Sequence, residues 1–188
     1  MLFRSGSITH DQPNVHLFIE TEDEETYRDN NLRFALHDLM EVFSGAPLRC
    51  LTVSAEHWTV DSGKWIQALR SFPKLERLCI GGIGQTLVLW EALAAASVPQ
   101  PPASEPVAPV CPGLRSVRLD GHLPSTVQLL DCIITCLAHR AKLGSRLEAL
   151  DMVLYHHPSS PQGYEELTDI YLPRLQDLVS EVSYTSRN

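Results

Sequence analysis

Residues 75 to 80 read LERLCI, and this Leu-x-x-Leu-x-apolar pattern occurs in three other clear copies along the chain. These are LRCLTV at 48–53, LRSVRL at 114–119 and LEALDM at 147–152. Weaker copies are NVHLFI at 14–19 and LQDLVS at 175–180. Apolar and polar residues alternate at the end of each clear copy, which is typical of a strand with one buried face. The sequence therefore predicts one strand for each copy.

The copies recur at steps of 34, 27, 39, 33 and 28 residues. The steps are counted along one equivalent position, which is Leu17, Leu51, Leu78, Val117, Leu150 and Leu178. In four copies a proline stands just upstream, at Pro47, Pro73, Pro112 and Pro173. Proline disfavours helix in the residue before it, so each one predicts the end of the preceding segment and the start of a strand. Spacing of this kind is typical of repeat proteins.

Segments with helical periodicity lie between the predicted strands. Their apolar stripes are Leu32, Leu36, Leu39 and Phe43; Trp65, Ile66, Leu69 and Phe72; Leu87, Trp90, Leu93 and Ala94; Val127, Leu130, Ile134 and Leu137; and, less regularly, Tyr164, Leu167 and Tyr171. Strands that alternate with helices predict a parallel sheet. Because the strands also carry charges such as Arg118 and Asp151, one face of the sheet is expected to meet water. The predicted fold is α/β: a leucine-rich-repeat-like solenoid with a parallel sheet on one face and helices on the other.

The copies LERLCIGG, LRSVRLDG and LEALDMVL resemble the irregular leucine-rich repeats of fungal F-box proteins. The resemblance is to the repeat region and covers most of the chain. It implies a surface that recognises a target protein, as part of an F-box-type ubiquitin ligase subunit. No F-box-like segment precedes Leu17, so the ligase adaptor is an expected partner only where an F-box exists outside this chain.

The composition excludes several classes of protein. The net charge is −8 and the chain has no basic stripe, so no nucleic-acid partner is expected. The most apolar stretch, Leu87 to Val98, contains Glu91 and is too short to span a bilayer, so no membrane partner is expected. Five cysteines without CxxC spacing, together with the lack of a signal peptide, predict an intracellular protein in the cytoplasm or nucleus.

All 188 residues are expected to form a single irregular leucine-rich-repeat-like domain. Residues 99–112 contain six prolines and are interpreted as a Pro-rich loop insertion, which explains the longest repeat step. The same stretch contains PxxP spacing, so an SH3-type ligand is the alternative to a mobile loop.

A glycine-rich stretch, Gly81–Gly84, follows the strand predicted at LERLCI, where some proteins cradle a phosphate. A dinucleotide fingerprint needs a third glycine where Leu87 stands, and a Walker loop needs G-K-[ST] where the chain reads GQT. The stretch is therefore interpreted as a strand-to-helix turn, with Thr86 as a helix N-cap. A small α/β enzyme or nucleotide-binding protein that uses the Gly81–Gly84 loop is the alternative function.

No catalytic residue, metal ligand or cofactor is predicted. Cys132, Cys136 and His139 would share one side of a helix, but zinc sites usually take ligands from more than one element. They are interpreted as residues on the outer face of a helix. Cys50 and His57 could act as a thiol and base, but the place of Cys50 in the repeat is a sufficient explanation for it.

The candidate binding surface is the open face of the predicted sheet. If Leu51 and Val53 point into the core, Cys50 and Thr52 point to the open face. One predicted column is His16, Cys50, Arg77, Ser116, Ala149 and Asp177, and the next is Phe18, Thr52, Cys79, Arg118, Asp151 and Val179. Arg118 and Asp151 are expected to form an ion pair between adjacent strands.

The function predicted from these patterns is a protein–protein interaction module without catalytic apparatus. Its partner would be another protein. The residues selected as partner-binding are His16, Phe18, Cys50, Thr52, Arg77, Cys79, Arg118 and Asp151. A structural fragment without a binding role is a third possibility, and it predicts self-association because neither end offers a polar cap.

Overall fold

The computed structural model describes residues 14–19, 31–43, 45–58, 60–84, 86–95, 109–122, 126–155 and 167–187. The strands are β1 (Asn14–Ile19), β2 (Cys50–Trp58), β3 (Arg77–Gly84), β4 (Ser116–His122), β5 (Ala149–Tyr155) and β6 (Glu181–Arg187). The helices are α1 (Asn31–Val42), α2 (Ser62–Ser71), α3 (Thr86–Ala95), α4 (Thr126–Lys142) and α5 (Leu172–Leu178), with a π-helical turn, Leu167–Tyr171, directly before α5.

The described strands form one parallel sheet in the order of the sequence, from β1 to β6. Strands β1 and β6 lie at its two edges, so the sheet is not closed. A parallel pairing requires each connection to cross back over the sheet, and here each of the five connections contains an α-helix. The predicted α/β class with a parallel sheet is confirmed.

One face of the sheet forms the core together with the helices. The inward strand residues of β2 to β5 are at most 2% exposed: Leu51, Val53, Leu78, Ile80, Val117, Leu119, Leu150 and Met152. The helices contribute fully buried residues to the same cluster, including Leu36, Trp65, Trp90 and Leu137. Burying a side chain of this size stabilises a fold by about 1.5–3 kcal/mol. Burial against the helices therefore accounts for the apolar residues at the fourth and sixth positions of each clear copy.

Helix α2 shows how the local sequence positions one of these elements. The side chain of Asp61, at the N-cap, accepts a hydrogen bond from the N–H of Lys64 at 2.9 Å. This bond satisfies one of the amide groups that the first turn of a helix leaves unpaired. Trp65, Ala68 and Leu69 then fall on one side of the helix and are buried.

The repeat is also visible in the backbone hydrogen bonds that enter each strand. The carbonyl oxygen of Arg49 accepts from the N–H groups of Glu76 and Arg77, at 2.8 and 2.9 Å. The equivalent pattern joins the next strands: Glu76 O to Arg115 N and Ser116 N, and Arg115 O to Glu148 N and Ala149 N. Residues 49, 76, 115 and 148 are therefore structurally equivalent, which agrees with the spacing of the clear copies.

The predicted register is wrong at the first strand. In the structure Val15 lies beside Leu51 and Leu17 lies beside Val53, whereas the prediction placed Leu17 beside Leu51. A shift of two residues keeps every side chain on its own face, since side chains alternate with a period of two. The apolar pattern therefore could not distinguish the two registers.

The prediction is also wrong at the last copy, LQDLVS. Its first four residues belong to α5, and the strand begins later, with Val182 beside Leu150. Pro173 lies in the first turn of this helix, where proline is tolerated because the N–H of that position needs no partner. Leucines three positions apart, such as Leu175 and Leu178, suit a helix as well as the repeat pattern.

The three glycines lie inside β3, so the predicted strand-to-helix turn at Gly81–Gly84 is wrong. Gly82 has a φ of 106°, a conformation that side chains other than glycine rarely adopt. A Cβ atom added to Gly121 in β4 would overlap the carbonyl oxygen of Gly82. The glycines thus allow the backbones of β3 and β4 to approach closely. Thr86 is the first residue of α3 and is buried.

A buried arginine holds the segment that leads into β4. Arg140 in α4 is 1% exposed, and its guanidinium donates to the carbonyl oxygens of Val110 and Cys111 at 2.7 and 2.9 Å. Cys111 has a φ of 47° and its thiol donates to the carbonyl oxygens of Leu69 and Phe72 at 3.2 and 3.4 Å. Helices α2 and α4 are thereby joined through one short segment.

Candidate functional site

The face of the sheet opposite the core carries the candidate site, here called the open face. Three rows of residues cross it, and each row runs from strand to strand in register. The first row is Asn14, Cys50, Arg77, Ser116, Ala149 and Glu181; the second is His16, Thr52, Cys79, Arg118, Asp151 and Ser183; the third is Phe18, Ser54, Gly81, Asp120, Val153 and Thr185. Where the structure describes their exposure, these residues are half-buried or exposed, except for Val153, which is 4% exposed.

Arg118 lies at the centre of a polar cluster on this face. Its guanidinium is 3.2 Å from a carboxylate oxygen of Asp151 and 3.5 Å from one of Asp120. The hydroxyl of Ser183 donates to Oδ1 of Asp151 at 2.5 Å. The cluster therefore joins β4, β5 and β6, and the predicted Arg118–Asp151 ion pair is confirmed. Because all these side chains are partly exposed, the pairs add well under about 1 kcal/mol each to stability.

A shallow depression of about 310 Å³ lies beside this cluster, over β2, β3 and β4. Its lining includes the side chains of Thr52, Ser54, Cys79, Arg118 and Asp120. Gly81 and Gly82 also line it, and they contribute backbone without side chains. The surface is thus concave where the third row passes through glycine.

Two thiols lie on the open face, at Cys50 and Cys79, and both are half-buried. Burial raises the pKa of Cys79 above its ordinary value, and the neighbouring Cys50 adds to this effect. A hydrogen bond with Thr52 and the charges of Arg118 and Arg77 act in the opposite direction. A thiol with a raised pKa is protonated near neutral pH and is therefore a weak nucleophile.

The structure brings six of the eight selected residues together as predicted. Cys50 and Arg77 are neighbours in the first row, and Thr52, Cys79, Arg118 and Asp151 follow one another in the second. His16 lies beside Thr52 and Phe18 beside Ser54, each one row further along than predicted, because of the shifted register of β1. Asp177, which belongs to α5, and Val179, which follows it, were predicted beside Ala149 and Asp151. In the structure Glu181 and Ser183 occupy those two places.

Asp120, Ser54 and Ser183 were not selected from the sequence, although they complete the site. Asp120 and Ser54 follow Arg118 and Thr52 by two positions, so strand alternation alone could have identified them. Ser183 could not be found in this way, because the last strand was predicted at the wrong residues.

The cysteines of α4 are not on the outer face of a helix, contrary to the prediction. Cys136 is fully buried in the core, while Cys132 and His139 are half-buried. Burial raises the pKa of Cys136 to about 12. Among the described residues, no group of three or more His, Cys, Asp or Glu side chains could hold a metal ion.

Some predicted features lie outside the described residues. These are residues 99–108 of the Pro-rich insertion, Tyr164 of the fifth apolar stripe, and the side chains of His16, Phe18, Leu32, His57, Val127 and Leu167. The end of the insertion is described: Pro109 to Pro112 form part of the segment that Arg140 holds.

None of the described helices has the length and apolar character needed to cross a lipid bilayer. Comparison of the chain with protein-family models, with curated proteins and with solved structures found no match.

Proposed function

We propose that the chain is a leucine-rich-repeat-like solenoid whose open face binds another protein. The observation that carries this proposal is the contrast between the two faces of one parallel sheet. One face is packed against helices, and the other presents ordered rows of half-exposed polar side chains.

The backbone supports the solenoid part of the proposal. Successive strands are neighbours in the order of the sequence, and the same hydrogen-bond pattern enters β3, β4 and β5. In repeat proteins each unit contacts mainly its neighbours, and the repeated strands together form an extended binding surface.

The side chains support the binding part. Exposed ion pairs such as Arg118–Asp151 add little to the stability of the fold, so stability alone does not explain why they are present. An extended polar surface with complementary charges is suited to orienting a protein partner. In the family that the repeats resemble, this surface would be the target-recognition part of an F-box-type ubiquitin ligase subunit, and we extend the proposal to that role.

A photo-crosslinking amino acid placed at Arg77 on the open face would test the proposal. The matched control is the same amino acid at Arg70, which is exposed on α2. Both replacements remove one arginine. Crosslinking in extract of the cells that express the chain should then capture a partner from position 77 and not from position 70.

The captured protein should next be purified and its affinity measured. We expect Arg77→Glu to weaken binding at least about tenfold, which corresponds to about 1.4 kcal/mol, and Arg70→Glu to leave the affinity unchanged. Capture from position 70 alone, or equal affinities of the two variants, would contradict binding at the open face.

A further inference from the structure

Two of the five cysteines lie together on the open face. Cys50 in β2 is paired with Arg77, and Cys79 in β3 is paired with Thr52. The two cysteines are therefore diagonal neighbours on adjacent strands, with their side chains on the same face. Diagonal neighbours on a sheet are about 7–8 Å apart at their Cα atoms, and their side chains can come closer than that.

The electrostatics of the two thiols agree with this placement. Burial is the largest cause of the raised pKa of Cys79, and the neighbouring Cys50 is the next. Such an effect requires a short separation, because the interaction between two charges weakens with distance. Both cysteines are free and half-buried. A disulfide needs Cα atoms within about 7 Å, so the diagonal placement favours an ion between the two sulfur atoms over a direct bond.

The available ligands suit a soft cation that needs few of them. Zinc sites usually have four ligands, and no group of three or more His, Cys, Asp or Glu side chains in the described part of the chain could hold a metal ion. The nearest carboxylates in the same rows, those of Asp120 and Asp151, contact Arg118 instead. Thiolate ligands select soft ions such as Cu(I), for which two sulfur ligands are enough.

The surroundings of Cys79 favour its thiolate form and leave it accessible. A hydrogen bond with Thr52 and the positive charges of Arg118 and Arg77 lower the pKa of Cys79, against the larger effect of burial. Two thiolates and one Cu(I) ion together carry a single negative charge, which these arginines can partly balance. Cys79 also lines the depression on the open face, so an ion can reach it from solvent.

We propose that Cys50 and Cys79 together bind one Cu(I) ion, each through its sulfur atom. Two S–H bonds break, two S–Cu bonds form, and both protons pass to the solvent while the copper stays Cu(I). The inference goes beyond the proposed function, because the site consists of residues of this chain and needs no partner protein.

Titration of the intact, reduced chain with Cu(I), without oxygen and against a coloured competing chelator, tests the inference. We expect one tightly bound ion per chain. Cys50→Ser and Cys79→Ser should each weaken binding by more than about a hundredfold, since the loss of a group that only orients a metal ligand already costs about 10–100-fold. X-ray absorption at the copper edge should show two sulfur neighbours for each copper ion.

The matched control is Cys132→Ser. It makes the same change at a thiol of α4 that is also half-buried but does not lie on the open face, so this variant should bind Cu(I) as the unmodified chain does. Thermal unfolding of each variant without metal checks that the fold is retained. Added Cu(I) should raise the unfolding temperature of the unmodified chain and of Cys132→Ser, but not that of Cys79→Ser.

Several outcomes would overturn the site. Unchanged affinity in Cys50→Ser or in Cys79→Ser would show that the two thiols do not share the ion. Equal loss in Cys132→Ser, or a spread of weakly bound ions, would show general binding to thiols. Equally tight binding of Zn²⁺ would contradict a site of two sulfur ligands. None of these results bears on protein binding at the open face, which the crosslinking experiment decides.

Discussion

Arg140 in helix α4 and Arg118 on the open face are held in different ways. Arg140 is 1% exposed and donates to two backbone carbonyl groups of the segment before β4. Arg118 is about half exposed and contacts two carboxylates that are themselves partly exposed. The groups that hold Arg140 belong to the backbone, whereas the carboxylates around Arg118 are on partly exposed side chains that can turn to water. The buried arginine therefore holds a backbone segment in place, whereas the charges of the open face remain partly exposed to water.

The largest expected difference between the two faces lies within one strand. Leu78→Ala should lower the free energy of unfolding by about 2–5 kcal/mol, because Leu78 is fully buried and its removal leaves a cavity. Cys79→Ala, at the next residue on the open face, should cost much less. Urea unfolding of the two variants measures both values. Similar losses would mean that the open face is packed as tightly as the core.

The two arginines provide the second comparison. Arg140→Leu should lower the free energy of unfolding by about 2–3 kcal/mol, since the carbonyl oxygens of Val110 and Cys111 lose their donors. Arg118→Leu should cost less than about 1 kcal/mol. Thermal or urea unfolding checks the pair, and a larger loss for Arg118→Leu than for Arg140→Leu would reverse the roles that we assign.

Close approach of the backbones of β3 and β4 gives a third test. Gly121→Ala should cost about 1–3 kcal/mol, because the added Cβ would overlap the carbonyl oxygen of Gly82 and one strand must shift. Gly113→Ala is the control: its nearest neighbouring atom would be 3.9 Å away, and we expect almost no loss. Equal stability of the two variants in urea would show that β3 and β4 separate easily.

High pH should affect the core through its buried thiols. Burial raises the pKa of both Cys111 and Cys136 to about 12, compared with about 8.5 in an unfolded chain. The unfolded state loses these protons first, so stability should be constant below about pH 8.5 and fall as the pH rises towards 12. The slope is at most about 1.4 kcal/mol per pH unit for each thiol.

Urea unfolding between pH 8 and pH 11 measures this slope. The double variant Cys111→Ala and Cys136→Ala should show a smaller decline than the unmodified chain, although it starts from a lower stability. An unchanged slope would mean that other groups cause the alkaline loss.

The sequence predicted the central part of the sheet better than its edges. For β2 to β5 it identified the strands, their inward residues and their register. Each of these strands has a clear copy of the Leu-x-x-Leu-x-apolar pattern, and the copies can be aligned residue by residue. At β1 the weaker pattern allowed a shift of two residues, and at the last copy it did not separate a helix from a strand. The alternation of apolar and polar residues predicts which face of the sheet a side chain lies on. It predicts the register between two strands only when their copies of the pattern match closely.

The amino-acid pattern was thus enough to predict that strands and helices alternate and which strand residues point to the core. Those properties follow from local periodicity and from the need to bury apolar side chains. Other features could not be predicted in this way: the burial of Cys136, the contact of Arg140 with Val110 thirty residues away, and the depression between Ser54 and Asp120. Each of these depends on which residues of distant segments become neighbours, and that is settled only when the strands pair and the helices pack against them.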